Sequence, residues 1–130
     1  MTFTENIYTK LNSLAHISTD EFSKDWLGQS RSYYSSNKAR GIEASSTALV
    51  KLMNKLTEHK AVLEANARHP FLLESAKRYE LLAKEVGKEI ANRSLKANIA
   101  NRVVKDMLIK IVAEINEQKN PSAMPVIIGW

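Results

Sequence analysis

The side chains with the most evident binding chemistry lie in one short stretch, residues 29–42. This stretch carries three basic side chains, Arg31, Lys38 and Arg40, and no carboxylate. Four serines, a glutamine, an asparagine and two tyrosines supply further hydrogen-bond donors. Positive charge combined with many donors suits a polyanionic partner, because phosphate oxygens are charged and accept hydrogen bonds. We therefore take residues 29–42, hereafter the candidate segment, as the main binding site to be explained.

The elements that position this segment are predicted to be helices. Apolar residues recur at spacings of three and four along most of the chain, so we expect an all-α fold. Thr19, Ser30, and either Ser45 or Ser46 are the expected N-caps, because their hydroxyls can accept from the first free backbone N–H groups. Gly28 is expected to end the second helix in a left-handed conformation. The first four helices are predicted at about residues 5–15, 20–27, 31–39 and from 46 onward, the last with an apolar stripe of Leu49, Leu52, Met53 and Leu56.

The run from Phe22 to Gly41, followed by Ser45–Leu56, resembles the lambda-repressor/Cro (Xre-like) helix-turn-helix family. The resemblance rests on the Leu27-Gly28 turn, the Ser30-Arg31-Ser32-Tyr33 start of the third helix, and Arg40-Gly41 after it. It covers roughly residues 5–57, and it implies that residues 1–57 form a compact four-helix DNA-binding head. Three positions depart from the usual pattern of the family. Lys24 stands where a small residue is common, and Gln29 and Asn37 stand where apolar residues are common.

If the third helix enters the major groove, its N-terminal residues Gln29, Arg31 and Ser32 are expected to reach base edges. Ser30 is expected to contact phosphate at the start of this helix, and Lys38 and Arg40 at its end. One of the two tyrosines should pack inward. The alternative is that this serine-rich helix is simply a solvated face. The expected DNA contacts are Gln29, Ser30, Arg31, Ser32, Tyr33, Ser35, Ser36, Lys38 and Arg40.

Residues 58–118 are predicted to be a helical oligomerisation region with two longer C-terminal helices, forming a hairpin. The first starts near Pro70 and the second runs from Leu95 to about Gln118, with Asn92-Arg93-Ser94 either separating or joining them. Their broad apolar stripes predict a homodimer or higher oligomer, since buried apolar area stabilises by about 25 cal/mol per Å². A monomeric six-helix domain is the alternative. The expected contacts are Leu72, Tyr79, Leu82, Val86, Ile99, Val103, Met107, Ile111, Ile115 and Trp130.

The last residues, 119–130, are predicted to be an extended apolar tail. Two prolines, Pro121 and Pro125, precede an apolar end of Val126, Ile127, Ile128 and Trp130. We expect this tail to dock within the protein's own assembly, because an apolar terminus left in water promotes aggregation. The alternative is a tail that is offered to a partner protein.

Composition limits the remaining function classes. The chain has 130 residues and a formal net charge of +5, which its two halves share almost evenly, and it has no cysteine. Disulfides, cysteine-ligated zinc and thiol catalysis are therefore excluded. His16, His59 and His69 lack the spacing of a metal site, and no nucleotide-binding or hydrolase motif occurs. We expect no enzyme, cofactor or metal. No membrane partner is expected, and a cytoplasmic location is expected, because we see neither a spanning apolar run nor a signal peptide.

The leading hypothesis is a sequence-specific double-stranded DNA-binding transcriptional regulator that acts as a homo-oligomer. The same elements also suit a phage-type DNA-packaging ring subunit, similar to a small terminase. A third hypothesis is a protein-interaction or inhibitor module with a degenerate helix-turn-helix.

Overall fold

A computed structural model describes residues 1–66 and 68–119, with side chains described as far as residue 115. Within these residues all regular structure is helical, so the predicted fold class is confirmed. The chain divides into two compact units, a first unit of residues 1–92 and a second unit that begins at Arg93. The helices are α1 (Phe3–Ala15), α2 (Thr19–Glu21), α3 (Tyr33–Ala39), α4 (Ser46–Ala65) and α5 (Pro70–Lys119). α2 continues directly into a π-helical turn, Phe22–Trp26.

One of the predicted N-caps is confirmed and two are wrong. Ser45 caps α4, and its Oγ accepts from the backbone N–H of Ala48 at 3.1 Å. α2 is capped by Ser18 rather than Thr19, because the Ser18 hydroxyl is the one that accepts from Glu21, at 3.1 Å. Ser30 does not cap α3, because a turn delays the start of this helix to Tyr33.

The first unit is built around one aromatic and aliphatic core. The rings of Tyr8, Phe22 and Tyr34 lie 4.9–5.2 Å apart, and so join α1, the π-helical turn and α3. The predicted stripe of α4 points into the same core, with Leu49, Leu52 and Leu56 fully buried and Met53 half-buried. Edge-to-face and tilted aromatic contacts of this kind add to the stabilisation from burial. The core therefore fixes where α3 and the candidate segment lie.

The long helices α4 and α5 pack against each other within the first unit. Trp26, His59 and Tyr79 form a stack in which His59 lies 4.6 Å from Trp26 and 5.5 Å from Tyr79. Tyr79, Leu82 and Val86 are buried in the core of the chain itself. The prediction that these three residues contact a second chain is therefore wrong, because the core of the first unit already covers them.

α5 is continuous through Asn92-Arg93-Ser94, so the sequence 70–119 forms one helix instead of two. This continuity is possible because neither proline nor glycine occurs between Gly87 and residue 119. The two long helices of the fold are thus α4, which ends at Ala65, and α5, which begins at Pro70. Pro70 starts α5, as predicted.

Among the described residues no helix combines the length and apolarity needed to cross a membrane. The predicted tail after Lys119, including Trp130, lies outside the described residues.

Candidate nucleic-acid interface

The corner before the candidate segment is formed by the π-helical turn and Gly28. The backbone N–H of Leu27 donates to the carbonyl of Phe22 at 2.9 Å, and that of Gln29 donates to the carbonyl of Ser23 at 2.9 Å. Gly28 has a φ of +64°, which confirms the expected left-handed conformation. The chain can therefore reverse sharply here, since glycine adopts positive φ without steric cost.

Ser23 joins α3 to the preceding helix. Its side chain is fully buried, its hydroxyl donates to the carbonyl of Thr19 at 3.0 Å, and its oxygen accepts from the backbone N–H of Tyr34 at 3.0 Å. The π-helical turn contains Ser23 and so positions its small side chain for this contact. Lys24, which departs from the pattern of the Xre-like family, is exposed to solvent.

The far end of α3 is also fixed by a glycine. Gly41 has a φ of +65°, its N–H donates to the carbonyl of Lys38 at 3.2 Å, and the N–H of Ile42 donates to Asn37 at 2.8 Å. These two bonds form a Schellman motif, which closes the last turn of a helix. The next carboxylate, Glu43, accepts from the N–H groups of Phe3 at 3.1 Å and Thr4 at 3.3 Å. The Glu43 carboxylate therefore stabilises the N-terminus of α1.

Most of the residues predicted to contact DNA lie on the surface. Gln29 and Tyr33 are half-buried, and the Tyr33 hydroxyl accepts from the N–H of Ser45 at 2.9 Å. Tyr34 is the tyrosine that packs inward, as one of the two was expected to do, and burial raises its pKa to about 12. It stays protonated at neutral pH and belongs to the core. The exposed members of the predicted set are Ser30, Arg31, Ser32, Ser35, Ser36, Lys38 and Arg40.

The electrostatic surroundings differ between the two ends of the candidate segment. Arg31 lines a shallow depression together with Lys24 and three carboxylates, those of Asp20, Glu21 and Asp25. At the same corner, Lys51 of α4 donates from Nζ to the carbonyl of Gly28 at 3.3 Å. The sequence analysis missed Lys51, because nothing in the spacing of α4 shows that this residue reaches back to the turn.

A second concave surface lies beside the aromatic stack. A groove of about 740 Å³ is lined by residues that include Lys24, Trp26, Lys55, His59 and Tyr79. Burial, and then the charge of Lys55, lower the pKa of His59, although Glu58 opposes the shift. In the described part of the chain, no group of three histidine or carboxylate side chains is placed to hold a metal ion.

A comparison with protein families found a match for this chain. The family of unknown function DUF6626 matches residues 4–102. The chain belongs to this family. The match to DUF6626 covers α1 from its second residue, α2–α4 and the candidate segment, and it ends within α5. Comparisons with curated proteins and with solved structures found no match.

Proposed function

We propose that this DUF6626 protein is a cytoplasmic, sequence-specific double-stranded DNA-binding transcriptional regulator that acts as a homo-oligomer. The observation that carries the proposal is the candidate segment, residues 29–42, which is basic, free of carboxylates and largely exposed. Gly28 precedes it and Gly41 lies near its end, and both have positive φ. A fixed surface of this kind favours the binding of a polyanion, because the protein loses little conformational entropy when the complex forms.

The shape of α3 supports contact with a groove. Its exposed side chains include Ser35, Ser36 and Ala39, which are small, so the helix backbone can approach the floor of the major groove. The serine hydroxyls both donate and accept, so they suit base edges as well as phosphate oxygens. The resemblance to the Xre-like family points to the same element. We propose that Ser32, Ser35 and Ser36 face the groove.

The basic side chains have different roles in this proposal. Lys38 and Arg40 are exposed at the end of α3, where long cationic side chains can reach the phosphate backbone. Lys51 adds a positive charge beside Gly28. Arg31 lies beside Lys24 and three carboxylates and contributes less to the binding of phosphate, because those carboxylates reduce its positive potential.

The test is a fluorescence-anisotropy titration of a labelled random duplex with the full chain at several salt concentrations. Lys38→Gln/Arg40→Gln should weaken binding and make the slope of log K against log[salt] shallower by about 1–2, since each phosphate contact contributes about 0.9. Lys77→Gln/Lys88→Gln is the matched control, because it also removes two exposed positive charges from the first unit. Equal effects of both double variants would assign binding to net charge alone.

Sequence specificity needs a separate measurement. Selection of bound duplexes from a random pool should return a common motif for the wild-type chain. Ser32→Ala/Ser36→Ala should retain affinity for random duplex and lose preference for that motif, because phosphate contacts are unaffected. Recovery of the same motif by this variant would show that the serines of α3 do not recognise bases.

A DNA-packaging ring subunit is the second candidate. It is favoured by the second unit, in which no side chain between residues 93 and 115 is buried, although many are apolar. A large assembly would cover these side chains. A ring would give a mass well above that of a tetramer and duplex binding without a selected motif, and both results would replace the regulator proposal.

A further inference from the structure

The groove beside the aromatic stack lies within the first unit, where several elements meet. Its lining comes from the end of α1, the π-helical turn, α4 and α5. Its volume of about 740 Å³ falls within the range of about 300–1,000 Å³ that is typical of sites for small ligands. The groove is therefore large enough to hold a small organic molecule.

Two almost fully buried aromatic side chains bring unpaired polar atoms to this groove. Trp26 is 5% exposed and Tyr79 is 7% exposed, and both line the groove. Among the described residues, neither the indole N–H of Trp26 nor the hydroxyl of Tyr79 makes a hydrogen bond, yet no enclosed side-chain nitrogen or oxygen lacks a partner. These two polar atoms must therefore be accessible to solvent, and the groove is the concave surface that both residues line.

The stack holds these polar groups in fixed positions. The rings of Trp26 and Tyr79 are almost parallel, at an angle of 3° and a separation of 6.4 Å, and His59 contacts both rings. Burial raises the pKa of Tyr79, so its hydroxyl keeps its proton at neutral pH and can donate. A ligand therefore meets donors that are already ordered, which reduces the entropy lost on binding.

Two lysines give the groove a positive charge. Lys24 is exposed and Lys55 is half-buried, and neither forms an ion pair with a described residue. Lys60, one turn further along α4, differs because it pairs with carboxylates of α4 and α5. Asp25 also lines the groove, so two ammonium groups face one carboxylate and the lining keeps a positive charge.

The polar side of the groove consists mainly of hydrogen-bond donors. The ammonium groups of Lys24 and Lys55 and the indole N–H of Trp26 can only donate. The Tyr79 hydroxyl and the neutral His59 ring can donate and accept. A complementary ligand supplies negatively charged acceptor atoms, because hydrogen bonds from a cation to an anion are the strongest. Carboxylate and phosphate oxygens have this chemistry.

The remaining lining is apolar. Leu14, Ala15 and Ile17 contribute aliphatic surface to the groove, which an aromatic or aliphatic ligand body would remove from water. We propose that the groove binds a small organic oxyanion whose carboxylate or phosphate group is held by Lys24, Lys55 and the indole N–H of Trp26. The body of the ligand covers the aliphatic surface. None of these residues belongs to the candidate segment, so the inference is independent of the proposed function.

Trp26 provides a direct readout, because it lines the groove and is one of only two tryptophans. The full chain with Trp130→Phe is titrated with phenyl phosphate and with benzoate at constant ionic strength, without DNA, and Trp26 fluorescence is followed. At least one anion should give a saturable change, and the comparison shows whether the site prefers phosphate or carboxylate. Benzyl alcohol, which has the ring without the charge, and inorganic phosphate, which has the charge without the ring, should bind more weakly.

Two outcomes of this titration would overturn the proposal. One is the absence of saturable binding of either aromatic anion up to about 10 mM, which would mean an affinity too low for a site. The other is binding of benzyl alcohol or inorganic phosphate as tight as that of the better aromatic anion.

Charge variants test which residues hold the anion. Lys24→Gln/Lys55→Gln should weaken binding of the better anion by about tenfold or more, because charge-assisted hydrogen bonds are lost. Lys77→Gln/Lys88→Gln removes the same charge outside the groove and should change the affinity by less than about twofold. Asp25→Asn should tighten binding by about 1.5–5-fold, because it removes the opposing carboxylate. Equal weakening by both lysine pairs, or weaker binding by Asp25→Asn in a folded chain, would overturn the site.

Discussion

The two units contain the same kinds of apolar side chain at the same helical spacing, yet they use them differently. In the first unit, Phe22, Leu52, Leu56 and their neighbours are fully buried against one another. In the second unit, Val104 and Leu108 remain about half exposed. An apolar stripe therefore becomes a core only where the fold brings a second apolar surface to it. The first unit buries its apolar stripes within one chain, and the apolar side chains of the second unit are exposed or half-buried.

The largest effect that separates the two units is expected from truncating a buried leucine. Leu56→Ala should lower the free energy of unfolding of the first unit by about 2–5 kcal/mol, since it removes packing contacts and leaves a cavity. Leu108→Ala should change it by less than about 0.5 kcal/mol. Urea titrations followed by Trp26 fluorescence, in a Trp130→Phe background, measure both. Similar losses of unfolding free energy in the two variants would contradict the difference in burial between Leu56 and Leu108.

A smaller effect is expected at the contact that positions α3. Ser23→Ala leaves the N–H of Tyr34 without its buried acceptor, which should cost about 1–3 kcal/mol. Ser13→Ala is the matched control, because Ser13 is exposed and its hydroxyl donates to the carbonyl of Lys10 within the same helix. Thermal unfolding monitored by circular dichroism compares the two. A loss from Ser13→Ala as large as that from Ser23→Ala would contradict the role of Ser23.

The smallest effect concerns pH and the aromatic stack. Burial and Lys55 lower the pKa of His59, so the unfolded chain takes up a proton more readily than the folded chain does. The stability of the first unit should therefore decrease as the pH falls below about 6.5. His59→Gln should make this decrease shallower, and Lys55→Gln should do so in part. Melting temperatures between pH 8 and 5 provide the test, and a steeper decrease in His59→Gln would contradict it.

Much of the fold is predictable from local patterns. The presence and order of the first four helices, the left-handed Gly28 and the start of α5 at Pro70 follow from spacing and from the conformational limits of glycine and proline. These features depend on residues close together in sequence, so sequence alone is informative.

Features that depend on distant residues were not predictable in the same way. The contact between Lys51 and Gly28 joins residues that are 23 positions apart. Tyr79, Leu82 and Val86 carry the same spacing as an intermolecular stripe, and only the packed fold shows that they are internal. The π-helical turn leaves no local signal in the sequence, and the contact between Ser23 and the backbone N–H of Tyr34 joins residues that are eleven positions apart.

The central claim is that the candidate segment binds duplex DNA through its own basic side chains. The most direct measurement is the salt dependence of duplex binding for Lys38→Gln/Arg40→Gln beside Lys77→Gln/Lys88→Gln. The account predicts weaker binding and a slope shallower by about 1–2 only for the first pair. Absence of duplex binding by the wild-type chain at about 50 mM salt, or the same change in both pairs, would contradict it.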